Sequence, residues 1–335
     1  MRKTMTLAAL AKELGLSESA VSKALNDYPD ISPATKKLVR EQAEALGYSP
    51  NLLARNLARK TTNFVGIVIR DVSSIYGEMY KSLTVAARQR GLHPILYDTG
   101  NDSGLEQESI RNLLDTKAMG IILVPVTEDP DMIRRKTRNK VPVVFLGSKV
   151  RSSEVNYVCT DTAAGTELAL RHLTHLGHRE IVMLCDSKTS GSRSRRIFVY
   201  RQIMQELRQE PRIFPIPPDE PDLSQAGYQL TRKLLSSGIR FTAIYACKDM
   251  LAIGAMGALT EAGIRIPEQV SVVGYDGIDA AALPMIRLTT VAQPRTEMAE
   301  QVIDILCRHA EDLSLPPEHC LAAPQLILRS STGPV

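Results

Sequence analysis

The chain has 335 residues, 44% of them hydrophobic and only 4% aromatic, which is length enough for two or three domains around an aliphatic core. No apolar run approaches the ~18 residues of a bilayer span, and the start, MRKTMTLAALAKELG, has no uninterrupted apolar stretch or cleavage site, so no signal peptide is read and a cytoplasmic protein is expected. The net charge is +4, and all the excess lies in residues 1–60, which hold ten Lys or Arg against six Asp or Glu while the remainder balances at 31 of each; a basic head on a neutral body fits a polyanionic partner.

Three helices fit the first fifty residues. The first runs from Leu7 to Leu14 with Thr6 as N-cap. The second lies in LSESAVSKALND (16–27), starts after Ser17 as N-cap, and has little apolar stripe. The third runs from Pro33 to Leu46, with Ser32 capping, Pro33 in the first helical position and Gly47 ending it. Ser49-Pro50 breaks the pattern, and NLLARNLARKTTN (51–63) reads as a basic linker. From Phe64 onward, short apolar runs at 64–69, 94–97, 120–126, 142–146, 157–159, 180–185, 242–247 and 270–275 read as strands. Amphipathic stretches at 78–90, 106–117, 162–176, 195–209, 224–237, 249–262 and 295–312 read as helices. Such alternation implies parallel sheets covered on both faces, and the number of strands favours two sheets over one. The prolines of Pro215–Pro221 mark a surface loop.

The five cysteines are odd in number and lack C-x-x-C spacing, so they read as small core residues and not as a disulfide framework or zinc site. His172, His175 and His178 come at three-residue steps. The surrounding leucines and Gly177 make them a helix end and turn, where a histidine suits the helix dipole, and no metal is expected. No nucleophile elbow, P-loop, H-E-x-x-H or strand-following G-x-G-x-x-G is present, so no enzyme and no cofactor is expected. The glycines of GAMGALTEAG fit close helix packing.

Two features go further. Ala11, Gly15 and Val21 meet the needs of a helix-turn-helix: a small residue at the crossing, a left-handed turn, and an apolar pin on the second helix. Glu18, Ser19, Ser22 and Lys23 would then face outward, towards a major groove; an ordinary helical hairpin with a solvated polar face is the alternative. Further along, Arg70-Asp71, Asp161, SRSRR (192–196), Lys248-Asp249 and Asp276 follow strand ends, where parallel α/β folds bind ligands.

Taken in order, the helix-turn-helix, LGYSPNLLARNLARKTTNFVGIVI, DTAAGTELALRHLTHLGHREIVML, KDMLAIGAMGALTEAGIRIPEQVSVVGYDGID, LTTV and LILRSST resemble the lactose-repressor/galactose-repressor (LacI/GalR) family of bacterial transcription regulators over nearly the whole chain. The resemblance implies an N-terminal all-α headpiece (1–49), a hinge helix or linker (50–60) and an α/β periplasmic-binding-protein-like core (61–335). That core would consist of two Rossmann-like subdomains, about 62–160 with 291–323 and about 161–290 with 324–335. It implies a homodimer on near-palindromic operator DNA, repressing carbohydrate-utilisation genes under a sugar, sugar-phosphate or sugar-acid effector. A transport-type sugar-binding protein without a DNA role is the alternative. Carried over by motif, Glu18, Ser19 and Lys23 would read bases and Ser17, Ser22 and Asn26 would contact the DNA backbone. Ala54, Arg55 and Leu57 would bind DNA from the hinge, with Leu57 as a minor-groove wedge. Arg70, Asp161, Arg196, Lys248, Asp249 and Asp276 would bind the effector.

The departures concern ligand and base choice. Lys23 stands where the family usually has arginine, and lysine lacks the planar fork that grips guanine. Val199 replaces a usual glycine, Gly277 a common aspartate, and VSSIYGEM lacks the usual Asn-Pro-Phe. Lys-Asp at 248–249 replaces Asn-Asp. Lys248 beside Arg196, with Arg70, fits an anionic ligand; Lys248 paired with a neighbouring carboxylate fits a neutral sugar.

Overall fold

The computed structural model describes residues 5–25, 27–48, 62–73, 75–126, 129–137, 140–147, 153–185, 191–217 and 222–335. The expected site residues Asn26, Ala54, Arg55 and Leu57 lie outside these. The chain divides into two compact units, Met1–Thr62 and Asn63–Val335.

The first unit holds α1 (Leu7–Leu14), α2 (Glu18–Leu25) and α3 (Pro33–Ala45). Local side chains set their ends. Thr6 Oγ1 accepts from the Ala9 N–H at 3.2 Å, Ser17 Oγ from Ala20 at 3.1 Å and Ser32 Oγ from Thr35 at 3.1 Å. Between α1 and α2 the chain turns at Gly15, whose φ of 63° is left-handed and favours glycine. Leu10 and Ala11 of α1, Val21 and Ala24 of α2, and Val39 and Ala43 of α3 form one small core. Burial of Ala11 and Val21 fixes α2 against α1 and leaves its Glu18–Ser19 edge in solvent.

The second unit contains two six-stranded sheets. The first is built from β1 (Phe64–Ile69), β2 (His93–Asp98), β3 (Gly120–Leu123), β4 (Val143–Leu146), β5 (Asn156–Thr160) and β11 (His319–Ala322). Its order is β11-β5-β4-β3-β1-β2, parallel throughout. Helices cover both faces, which is why its strands read as apolar runs. In β1, Val65, Ile67 and Ile69 pack with Met79 and Leu83 of α4 (Ile75–Gln89) and Met298, Val302 and Leu306 of α11 (Arg295–Glu311). Val68 points the other way, among Ile110 and Leu113 of α5 (Ser103–Asp115). A short helix, α6 (Pro130–Thr137), lies between β3 and β4.

The second sheet comprises β6 (Ile181–Cys185), β7 (Arg212–Pro215), β8 (Ala243–Ala246), β9 (Ser271–Asp276), β10 (Thr289–Ala292) and β12 (Gln325–Ile327), in the order β12-β10-β9-β8-β6-β7. Only the β10–β12 pair is antiparallel. Around it lie α7 (Thr162–His175), α8 (Gly191–Glu206), α9 (Leu223–Ser236) and α10 (Asp249–Glu261). The chain passes between the sheets three times: from β5 to β6, from β10 to β11, and from β11 to β12. Helices α9 and α10 touch at their backbones; a Cβ on Gly254 would stand 1.8 Å from the Ser224 carbonyl oxygen.

The fold class expected from the resemblance is the one observed. The departures are local. The run 120–126 stops being strand at Leu123, shortly before Pro125, which has no N–H for a ladder. The proline loop is preceded by a strand that reaches Pro215. Helix α6 and strands β7, β10, β11 and β12 were not among the expected elements. His172 and His175 do end α7, and His178 is buried against Thr242, Ser271 and Gly333. All five cysteines are free. Among the described residues no helix is long and apolar enough to cross a membrane, and no cluster of three or more His, Cys, Asp or Glu could hold a metal ion.

Candidate DNA interface and ligand cleft

In the first unit, Ser17, which caps α2, and Glu18 and Ser19 of its first turn are exposed, and Ser22 and Lys23 further along are partly exposed. The face is polar because the other side of the helix carries the core residues Val21 and Ala24. Lys23 Nζ lies 2.5 Å from Asp30 Oδ2, and this bond raises the lysine's pKa and lowers that of the aspartate. Lys36 donates to the Asp27 carbonyl at 3.2 Å and, with Arg40, pairs with its carboxylate, which fixes the turn after α2, where Asp27 has a φ of 62°.

In the second unit a cavity of about 360 Å³ opens between the two sheets. The strand ends supply it: Arg70 follows β1, Gly147 follows β4, Thr160 ends β5, Lys248 follows β8, and Asp276 ends β9. Of the expected effector residues, Arg70, Arg196, Lys248 and Asp276 meet there. Arg70 Nε donates to the Pro125 carbonyl at 2.7 Å. Arg196, on α8, is only 8% exposed, and its guanidinium carbon lies 4.2 Å from the centroid of the Tyr275 ring. A stacked guanidinium keeps its charge where burial alone would oppose it.

Asp161 and Asp249, also expected there, are not among the side chains that line this cavity. Asp161 caps α7, its Oδ1 accepting from the Ala163 and Ala164 N–H groups at 3.0 and 3.1 Å, and it faces a separate depression with Glu167 and Arg171. Asp249 turns beneath the start of α10. It is fully buried, accepts from the Ile278 N–H at 2.8 Å and bonds the Thr290 hydroxyl. Burial first, then the charge of Asp276, pushes its carboxyl up to about 8.

Two connections across the cleft had no sequence signal. Thr160 donates to Gln293 Oε1 at 2.9 Å, and Gln293 Nε2 donates to Asp276 Oδ1 at 2.8 Å, joining β5 of one sheet to β9 of the other. Asp276 has a φ of 118°, a region unfavourable to a residue with a Cβ, and Gln293 also bonds its carbonyl. At the rim, Glu78 of α4 accepts from the Asp279 N–H at 2.9 Å and pairs with Arg295, which also reaches Asp279. Glutamine and glutamate at those positions are unremarkable in sequence; only the crossover after β10 and the start of α11 make them bridges.

A periplasmic-binding-protein-like domain model matches residues 170–332. The chain is 30% identical over 332 residues to the HTH-type transcriptional regulator GalR of Escherichia coli (strain K12), covering 98% of this chain and 96% of GalR. This chain belongs to the LacI/GalR family of transcriptional regulators. As a member it is a DNA-binding regulator and not an enzyme. Its fold matches a lac repressor dimer bound to operator and the anti-inducer ONPF with a TM-score of 0.85 at 25% identity, covering 99% of this chain and 100% of the other. It also matches a LacI family regulator from Enterococcus faecium with bound ribose, with a TM-score of 0.71 at 25% identity, over 81% and 99% of the two chains.

Proposed function

We propose that this family member is a dimeric cytoplasmic repressor of carbohydrate-utilisation genes. It binds a near-palindromic operator through α2 and is controlled by a small polyhydroxylated ligand in the cleft. The observation that carries the reading is the cleft's set of donors and acceptors, with Arg70, Arg196, Lys248, Asp276 and Gln293 converging between two sheets that three crossovers join. Vicinal hydroxyls suit such paired donors and acceptors. The operator-bound dimer of the lac repressor and the ribose of the Enterococcus faecium regulator support it. Ser17, Glu18, Ser19, Ser22, Lys23 and Asn26 would meet DNA from the head, and Ala54, Arg55 and Leu57 from the hinge segment. A ligand acts only through different affinities for two arrangements of the subdomains, and the bridges through Gln293 and Glu78 are the contacts such a change must remake.

The test is a gel shift of the full chain on DNA upstream of its own and neighbouring genes, repeated with candidate carbohydrates. Specific, salt-sensitive binding that one sugar class alters is expected. Binding equal to that on unrelated DNA would overturn the reading.

A further inference from the structure

Lys23 is the one cation among the eight residues of α2, and it stands with Glu18, Ser19 and Ser22 on the side turned away from the core. Its ammonium is not loose in solvent. Nζ donates to Asp30 Oδ2 at 2.5 Å, with the two side chains 43% and 52% exposed. The hydrogen bond and charge of each partner move the other's pKa away from neutrality, so both are ionised at physiological pH. An exposed pair of this kind adds little to fold stability. Its effect lies in where it puts the ammonium.

Asp30 is itself held. The Tyr28 N–H donates to the Lys23 carbonyl at 3.1 Å and the Ile31 N–H to the Tyr28 carbonyl at 3.3 Å, which folds the loop back over the end of α2. Pro29 fixes its own φ, Ile31 packs against the small core, and Ser32 caps α3. The carboxylate of Asp30 is thus presented by a segment pinned on both sides. Asp27, the other aspartate of this loop, serves differently: it pairs with Lys36 and Arg40 of α3, and Lys36 also holds its carbonyl. That cluster ties the loop to α3, whereas Asp30 reaches back to the polar face of α2.

An ammonium carries three N–H donors, so one bond to Asp30 leaves two. Guanine offers two acceptors side by side in the major groove, O6 and N7. A free lysine meets them poorly, because its ammonium turns at the end of a flexible stem and lacks the planar fork of arginine. Tethering Nζ to a fixed carboxylate supplies the orientation that the side chain lacks. The same pair changes the electrostatics. A bare cation is attracted to phosphate whatever the sequence. Paired with Asp30, Lys23 is locally neutral and the carboxylate repels phosphate, while an uncharged base edge remains an acceptable partner.

Resting on the reading of α2 as the base-reading helix, we propose that Asp30 is a positioning residue for Lys23. It holds the ammonium for two hydrogen bonds to one guanine and cancels its attraction for phosphate, so that Lys23 serves operator choice and not general affinity.

Selection of the full chain on a randomised duplex library, followed by titration of the enriched duplex and of an unrelated duplex of equal length, tests this. Asp30→Asn and Asp30→Ala are both expected to bind the unrelated duplex several-fold more tightly, with the slope of log affinity against log salt steeper by about one. Each is expected to lose about fivefold or more of the preference at one guanine, the lower end of what a paired base contact discriminates. Lys23→Arg separates positioning from a general effect on the head. A guanidinium brings its own fork, so adding Asp30→Asn to Lys23→Arg is expected to leave the guanine preference within about twofold. Thermal melting of each variant reports on folding. Unchanged guanine preference in both Asp30 variants overturns the proposal and leaves the DNA-binding reading intact. An equal loss in the Lys23→Arg background overturns it too, since Asp30 would then shape the head as a whole. A wild type that enriches no sequence overturns the reading of α2, and the proposal with it.

Discussion

Replacing Asp249 by asparagine should stabilise the second unit, and by more as the pH rises. The side chain is fully buried, and its carboxyl is pushed up to about 8 from 3.8. Between those values the unfolded chain is ionised at this residue and the folded chain is protonated. The folded state binds more protons, so this residue's contribution to stability falls as pH rises through about 4 and levels off above about 8. At about 1.36 kcal/mol per pH unit, the span from 3.8 to neutrality amounts to roughly 4 kcal/mol. Asparagine is uncharged and nearly the same shape. Its Oδ1 accepts from Ile278, and its Nδ2 donates to Thr290, whose hydroxyl works in either direction. Part of the cost will persist as imperfect packing, leaving a gain of about 1–3 kcal/mol at pH 7–8 and close to none at pH 4. At roughly 2–4 °C per kcal/mol for a unit of this size, the melting temperature should rise by several degrees. The assay is thermal melting of wild type and Asp249→Asn from pH 4 to pH 9. Parallel pH profiles, or an equal loss at every pH, would refute the burial argument. Ligand response should survive, because Asp249 does not line the cavity.

Four other substitutions separate the remaining roles. Lys23→Ala should weaken operator binding and relax preference at one base position, whereas Lys36→Ala should lower the thermal stability of the head, because Lys36 holds the turn at Asp27; unchanged preference in selection experiments on Lys23→Ala would displace α2 from the groove. Gly254→Ala places a methyl group 1.8 Å from a backbone oxygen of α9, so its cost should reach the upper end of the ~1–3 kcal/mol overpacking range, seen as a clear drop in denaturant midpoint. Gln293→Leu removes the donor to Asp276 and the acceptor for Thr160, and should cost about 1–3 kcal/mol in melting experiments; no change would mean that the bridge does not hold the two sheets.

Most of the head and the order of the larger core elements were legible in sequence because their causes are local. Thr6, Ser17 and Ser32 cap helices three residues away, Gly15 alone tolerates its turn, and Val21 is spaced to meet α1. Buried parallel strands announce themselves as unbroken apolar runs, as in β6, where every residue is buried. Strand β12 had no such signature. It has three residues and is extended because it pairs with β10, so its state depends on a partner more than thirty residues away. The site followed the same division. Polar residues after strand ends pointed to a cleft, since every parallel sheet opens there. Which of them face the cleft depended on distant neighbours. Asp249 turns inward to Ile278 and Thr290, Asp161 is spent on capping α7, and Gln293 enters because a crossover lays it between Thr160 and Asp276. Residue type and spacing determined what each segment is able to form. The direction of a side chain within 3 Å of two competing partners was decided only when the sheets brought those partners together.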